Sequence, residues 1–223
     1  MGELEKLTVA VMQPHFIPFA GYMRLFAAVD LFVIYDCVQF TRRGRIHRNQ
    51  LPDFQGKARW LSLPLKKEDM TVSIKDLSFQ SDASQVLKNK MKAFPCFENS
   101  NIQPELIEMI LGVEGSPVDY NSNILAAICK LLKLPFNVIK SSSLGIDPNL
   151  TGQFRVLEIL RQVGATGYVN SPGGRHLYEV EEFKSRDIKI QFQAPYIGET
   201  WSILQRILSE DVSALGADIQ RQA

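Results

Sequence analysis

The chain has 223 residues, of which 45% are hydrophobic and 22% are charged, and its 25 Lys and Arg against 24 Asp and Glu give a formal net charge of +1. This composition excludes a disordered polar chain, and the balanced charge excludes a global field that would draw the protein onto nucleic acid or an acidic membrane. Three cysteines without CxxC or histidine spacing exclude a disulfide framework and a structural zinc, so we expect a reducing compartment.

The amino terminus predicts a cytoplasmic protein. Its apolar stretch is too short and too acidic at its start for a signal peptide, and no run in the sequence approaches the roughly 18 apolar residues of a membrane span. The sequence contains no internal repeat, no low-complexity tract and no long linker. We therefore expect one α/β domain over residues 1–223.

The first elements form a predicted βαβ unit. Residues 7–12 are a short apolar run that ends at Gln-Pro, as a buried strand would, and the apolar residues of 19–29 recur at helical spacings. Residues 31–35 are a continuous apolar run between two aspartates, which is typical of a strand buried on both faces of a parallel sheet. Ligands of such sheets lie beyond the carboxyl ends of the strands, which here are residues 13–18 and 36–40.

The remaining chain continues to alternate between strand and helix patterns. This alternation predicts an open, mostly parallel three-layer α/β sandwich of the Rossmann-like kind. Gly164 stands where a left-handed residue would end a helix. The predicted strands are 59–65, 72–77, 136–139, 168–169 and 188–192, and the predicted helices are 84–94, 104–111, 118–132, 154–163 and 201–208.

Residues 12–24, MQPHFIPFAGYMR, connect the first strand to the first helix. Two prolines and a glycine fix the backbone there, and the free N–H groups at the start of a helix favour an anion. A rigid connection without a ligand explains the same residues equally. The segment contains neither GxxxxGK nor GxGxxG, so it is not a P-loop or a dinucleotide fingerprint.

Residues 36–49, DCVQFTRRGRIHRN, concentrate basic side chains just past a predicted strand. Arginine forks bind phosphate in two-point fashion, and Asp36, Gln39 and Asn49 add hydrogen-bonding groups for a sugar or a base. A solvated basic loop is the alternative. No aromatic platform accompanies the cluster, so nucleic acid is the least favoured ligand. The basic residues are Arg42, Arg43, Arg45, His47 and Arg48.

His15 and His47 are the histidines near this predicted site. Either is a candidate general base, because an unperturbed imidazole titrates near neutrality, and either could instead be structural. Cys37 would act as a nucleophile only if a partner lowered its pKa.

A later loop, NSPGGRHLY over residues 170–178, also follows a predicted strand. Gly173, Gly174 and Arg175 stand where a backbone can approach a substrate closely. The loop either completes the site or is a tight turn whose glycines serve only the backbone.

The stretch QPHFIPFAGYMRLFAAVDLFVIYDCVQFTRRGRIHRNQL resembles the WbqC-like family of bacterial proteins. The likeness runs through QPxxxPxxGY and the D-x-VQ and RN segments, and it resumes in GATGYVNSPGGRHLY and IKIQFQ. The positions that match the family's signature are Gln13, Pro14, Pro18, Gly21, Tyr22, Asp36, Gln39, Arg48 and Asn49.

This resemblance implies a role in surface polysaccharide synthesis. Members of the family occur in gene clusters for O-antigen, the polysaccharide of lipopolysaccharide, and a transfer of glycine or another amino acid to an amino sugar has been proposed for them. A second, weaker resemblance is to the HIGH-type nucleotidylyltransferases, with Gly21-Tyr22 where those enzymes have Gly-His. It implies a shared architecture rather than adenylyl chemistry.

Two main classes of function are expected. The first is a transferase that acylates or aminoacylates the amine of a nucleotide-activated amino sugar, with His15 or Asp36 accepting the proton. The second is a non-catalytic protein that binds a nucleotide or a phosphosugar, and an ATP-dependent adenylyl-transferring enzyme is a third. The ligand is expected to be a phosphorylated small molecule rather than nucleic acid or membrane, and the sequence identifies no cofactor or metal site. The residues expected to bind the substrate are Gln13, Pro18, Gly21, Tyr22, Gln39, Arg42, Arg43, Arg45, His47, Arg48, Asn49, Gly173, Gly174 and Arg175.

Overall fold

A five-stranded parallel sheet forms the centre of the computed structural model, which describes residues 6–98 and 103–223. The strands are β1 (Thr8–Met12), β2 (Leu31–Ile34), β3 (Arg48–Pro52), β4 (Ala58–Ser62), β5 (Val138–Lys140), β6 (Gly167–Asn170) and β7 (Lys189–Phe192). The α-helices are α1 (Ala20–Ala28), α2 (Ala83–Met91), α3 (Pro104–Leu111), α4 (Pro117–Leu131), α5 (Gly152–Val163), α6 (Val180–Lys184), α7 (Ile203–Ile207) and α8 (Val212–Arg221).

The strand order places β1 at the centre of the sheet. The sheet runs β5-β2-β1-β6-β7, and every pairing in it is parallel. The chain goes from β1 to β2 on one side, whereas β6 pairs with the other side of β1. Such a reversal of strand order opens a crevice at the carboxyl ends of the strands. Separately, β3 and β4 form an antiparallel hairpin in which Gln50 pairs with Trp60.

Side chains of the central strands alternate between two hydrophobic cores. Ala10 and Phe32 belong to a core that includes apolar residues of α1, α4 and α8. Val9 and Val33 belong to a second core with apolar residues of α5 and α6. Because successive side chains of a strand point to opposite faces, helices cover both faces of the sheet. The predicted open, mostly parallel three-layer α/β sandwich is therefore confirmed.

The helix predictions for 104–111 and 154–163 are confirmed by α3 and α5. Gly164 ends α5 in the left-handed region with φ 72°, as predicted. The strand predicted at 72–77 is wrong. This segment contains a 3-10 turn at Ile74–Asp76, and its backbone meets the chain after β2 through the bridge between Gln39 and Ser73.

The carboxyl-terminal helix α8 was missed, and the helix predicted at 201–208 is only the shorter α7. Gly216 lies in the middle of α8, where a glycine argues against a helix. A Cβ at this position would lie 2.4 Å from the carbonyl oxygen of Leu132, so the missing side chain lets α8 cross closely over the end of α4. Among the residues that the structure describes, no helix is both long enough and apolar enough to cross a membrane.

Candidate functional site

The two segments singled out in the sequence, 12–24 and 36–49, lie against each other in the structure. Phe16 N donates a hydrogen bond to Arg45 O at 2.9 Å. Asn121 of α4, which the sequence did not indicate, donates through Nδ2 to Pro14 O at 2.9 Å and to Ile46 O at 2.7 Å. One buried amide therefore holds both segments together.

Asn49 is fully buried, and its side chain is engaged within the protein. Its Nδ2 donates to Ile17 O at 2.6 Å, and its Oδ1 accepts from Arg45 Nη1 at 2.7 Å and from Gln50 N at 2.8 Å. In this structure the amide of Asn49 connects the two loops, and its contact with a sugar stays a prediction.

Asp36, at the end of β2, is also buried and bonded. Its Oδ1 accepts from Ser141 Oγ and from Ser142 N, both at 2.9 Å, and its Oδ2 accepts from Ser142 Oγ at 2.6 Å. These serines follow β5, so the carboxylate ties the ends of two neighbouring strands. The expected role of Asp36 as a proton acceptor is not supported, since hydrogen bonds to the protein occupy both carboxylate oxygens.

His15 stacks on Tyr22, with ring centroids 4.9 Å apart. Burial, with the nearby positive charge of Arg45, lowers the pKa of His15 to about 4, so the imidazole is neutral at pH 7. Tyr22 donates through its hydroxyl to Gln13 O at 2.8 Å. The two stacked rings pack the segment after β1 against helix α1, at the carboxyl end of the strand.

Pro18 and Gly21 serve close packing. Pro18 is buried, and its carbonyl accepts from Ile203 N at 2.6 Å. A Cβ at Gly21 would lie 2.3 Å from the ring of Phe19 and 2.9 Å from Tyr196. Both signature positions are explained by contacts inside the protein.

A cleft of about 620 Å³ lies between the segment that follows β2, the end of β4 and the residues that directly follow β4. We call it the basic cleft. Leu63, Pro64 and Leu65 contribute an apolar wall, and Glu68 and Asp69 are its acidic residues. Its cationic residues are Arg42, Arg43, Lys66, Lys67 and Lys90, and its polar residues include Gln39, His47, Ser62 and Gln80.

Four of the predicted substrate-binding residues, Gln39, Arg42, Arg43 and His47, line the basic cleft. The three lysines were missed. Lys66 and Lys67 had a signal in the sequence, since the pair directly follows the predicted strand 59–65. No sequence pattern indicated Lys90, because it comes from helix α2, which is remote in sequence from the basic segment, residues 36–49.

Arg48 folds back onto its own loop. Its Nε donates to Gly44 O at 3.3 Å and its Nη2 to Arg43 O at 2.9 Å. Its guanidinium lies 4.2 Å from the ring centroid of Trp60, and that of Arg45 lies at 5.5 Å. Trp60 of β4 is therefore an aromatic neighbour of the basic cluster that the sequence did not indicate.

His47 is the histidine that lines the basic cleft. Burial, together with the positive charges of Arg48 and Lys90, lowers its pKa to about 4. Its Nδ1 is buried and has no hydrogen-bond partner among the described residues. The ring is therefore neutral at pH 7, and its Nδ1 is enclosed by the protein rather than open to the cleft.

The family assignment rests on a match over most of the chain. The model of the WbqC-like protein family matches residues 13–215. This chain belongs to that family. An uncharacterized protein of Mycobacterium tuberculosis, Rv1507c, is 26% identical over 189 residues, which cover 82% of this chain and 80% of the relative. No solved structure matches the chain.

In this WbqC-like protein the loop after β6 lies apart from the residues that line the basic cleft. Gly174 packs on Asn170, since a Cβ there would lie 2.8 Å from the Asn170 amide nitrogen. The guanidinium of Arg175 lies 5.0 Å from the ring centroid of Phe192, and Gly173 is exposed. The loop therefore packs beside the ends of β6 and β7, and none of its residues is among those that line the basic cleft.

Cys37 lies beside the same strand ends as Asp36. Ser141 Oγ is 3.1 Å from its sulfur, and its carbonyl accepts from Arg155 Nη1 at 2.7 Å. Within residues 6–98 and 103–223, no group of three or more His, Cys, Asp and Glu side chains is arranged to hold a metal ion.

Proposed function

We propose that this protein binds a nucleotide-activated amino sugar in the basic cleft and acylates or aminoacylates its amine, in the synthesis of a surface polysaccharide. One observation carries the proposal. Five cationic side chains face an apolar wall in a single cleft, and they outnumber its two carboxylates by three. Such a field favours a diphosphate, whose oxygens accept charge-assisted hydrogen bonds from arginine and lysine.

His47 is the group best placed to assist the transfer. The amine nitrogen would attack the carbonyl carbon of an activated acyl donor, so that a C–N bond forms and the bond to the leaving group breaks. The amine proton would pass to the neutral imidazole of His47, which lines the cleft. Because His15 and Asp36 do not line the cleft, we assign the role expected of them to His47.

The family supports the polysaccharide context. The resemblance in the sequence runs from QPHFIP to IKIQFQ, and the family match covers residues 13–215. A glycyl group is the simplest aminoacyl group that fits the role proposed for the family.

A second candidate function is binding without catalysis. The low pKa of His47 favours it, because a base with a pKa of about 4 takes a proton weakly at pH 7. A protein of this kind would hold the nucleotide sugar for a partner enzyme. Binding of the amino sugar without product formation, over a panel of activated glycyl donors, would favour this candidate.

The first prediction concerns Lys66 and Lys67. Replacing both with alanine should weaken the binding of UDP-glucosamine by about tenfold or more, because each lost cation removes a charge-assisted contact with phosphate. Isothermal titration calorimetry measures the dissociation constant. The matched control is Lys130→Ala, an exposed lysine of α4 that does not line the cleft. Equal affinity in the double variant and the control would remove the basic cleft from the binding site.

A further inference from the structure

A second cleft, of about 520 Å³, opens beside the basic cleft. We call it the Trp60 cleft. Its wall combines the ring of Trp60 with apolar Val86, Ala93 and Phe94, and Arg59 and Asn89 are its further polar residues. It shares Ser62 and Lys90 with the basic cleft. The two clefts are therefore neighbours that meet at a single lysine.

The geometry points to one ligand that occupies both clefts, with a nucleobase stacked in the Trp60 cleft, phosphate at Lys90 and the sugar in the basic cleft. This inference rests on the function proposed above and deepens it, because it names the nucleotide half of the substrate and the residues that recognise it.

Trp60 has the placement of a stacking platform rather than of a core residue. It lies on the β3–β4 hairpin, is 38% exposed and belongs to neither hydrophobic core. Arg48 lies against it at 4.2 Å and is held in place by the carbonyls of Arg43 and Gly44. A large aromatic ring fixed at the surface by a tethered guanidinium offers a flat, preorganised surface to a base.

Lys90 stands at the junction of the clefts. Its Nζ donates to Ser62 O at 3.0 Å, which uses one of its three donors and fixes the ammonium between α2 and β4. Burial lowers the pKa of Lys90, and an approaching phosphate would compensate for this loss of solvent. The junction therefore suits the diphosphate that links the nucleoside to the sugar in a nucleotide sugar.

Asn89 supplies a polar edge for the base. Its Oδ1 accepts from Gln85 Nε2 at 3.3 Å, which leaves its Nδ2 as a donor toward a ligand in the Trp60 cleft. The cleft volumes, about 620 and 520 Å³, are those of small-molecule pockets and suit a nucleotide sugar better than a long polymer.

The test uses the intrinsic fluorescence of Trp60. The chain has two tryptophans, so Trp201→Phe leaves Trp60 as the single tryptophan, and its emission is excited selectively over that of the tyrosines. In this background, UDP-glucosamine should quench the emission, because a stacked base contacts the ring, whereas glucosamine 1-phosphate should bind without quenching. In calorimetry, Trp60→Ala should weaken UDP-glucosamine binding by about tenfold and leave glucosamine 1-phosphate unaffected, and Trp60→Tyr should restore most of the loss.

The outcomes separate this inference from the proposed function. Binding of UDP-glucosamine without quenching, and with equal affinity in Trp60→Ala, would overturn the base subsite and leave the basic cleft as a phosphosugar site. Failure of both ligands to bind would overturn the proposed function itself. Tighter binding of a short single-stranded oligonucleotide than of UDP-glucosamine would replace the nucleotide sugar with nucleic acid as the ligand of this surface.

Discussion

His15 shows how much of the site's chemistry depends on burial. An ordinary imidazole has a pKa of 6.5, whereas burial and the charge of Arg45 lower the pKa of His15 to about 4. Between these two values the unfolded chain takes up a proton that the folded protein does not. Stability is therefore lost as the pH falls from about 6.5 toward 4, and His15 has no effect at pH 7.5.

The second prediction follows from this difference. His15 should account for a loss of about 2 kcal/mol in the free energy of unfolding between pH 7.5 and pH 5. The variant His15→Phe keeps a ring against Tyr22 and removes the titration, so its stability should fall less over this range. Urea denaturation at the two pH values measures both proteins. Parallel pH dependence in the two proteins would show that His15 is not the titrating group.

Sequence reasoning at this scale identified positions better than roles. The sequence predicts Asp36 and Asn49 as hydrogen-bonding groups for a sugar or a base, whereas in the structure both residues bond to groups of the protein itself. A sequence motif indicates which residue type a position requires. It does not indicate whether that residue bonds to a ligand or to a neighbouring loop, because both kinds of partner require the same hydrogen-bonding groups.

At the scale of elements, α4 positions the site by reaching from the core to two loops. Asn121 is buried, and its Nδ2 satisfies the carbonyls of Pro14 and Ile46 together. These carbonyls come from the segment after β1 and from the basic segment, residues 36–49. Asn121 therefore joins the two segments, together with the bonds of Phe16 and Asn49, although its helix contributes nothing to the lining of the basic cleft.

The third prediction is that Asn121→Ala lowers the free energy of unfolding by about 2 kcal/mol or more, because it leaves two buried carbonyls without a donor. Asn123→Ala is the matched control, since Asn123 is exposed on the same helix and should change stability little. The midpoint of urea denaturation measures the difference. A similar midpoint for the two variants would contradict the structural role of Asn121.

The elements themselves could be predicted where the residues are apolar and periodic, as in β1, β2 and α5. They could not be predicted where a tertiary contact decides the structure. Gly216 weakens the helical pattern of α8, yet the close approach of Leu132 requires it. The hairpin partner β3, with the sequence RNQLP, carries polar residues and a proline, so only its pairing with β4 reveals it as a strand.

For the whole molecule, Arg24 connects the first helix to the end of the chain. It is 2% exposed, and it donates through Nη1 to Gln222 O and through Nη2 to Ala194 O, both at 2.9 Å. Its guanidinium also lies 5.4 Å from the ring centroid of Tyr196. Burial lowers its pKa, so the hydrogen bonds and the ring must compensate for the lost solvent.

The fourth prediction concerns this connection. Arg24→Met keeps the length of the side chain and removes its donors, so it should lower the free energy of unfolding by about 2 kcal/mol and speed hydrogen exchange in α8. Arg221→Met is the control, because Arg221 is exposed on α8. Unchanged exchange rates in α8 for Arg24→Met would show that other contacts hold the carboxyl-terminal helix.

The central place of β1 has a consequence for the growing chain on the ribosome. β1 finds its first partner, β2, soon after it emerges, but the second partner begins only at Gly167. At a synthesis rate of roughly 5–20 residues per second, one edge of β1 stays unpaired for roughly 8 to 30 seconds. During that interval an apolar strand presents free N–H and C=O groups to other nascent chains, and such edges nucleate aggregation. We therefore expect the yield of soluble protein to depend on chaperones that act before β6 is made.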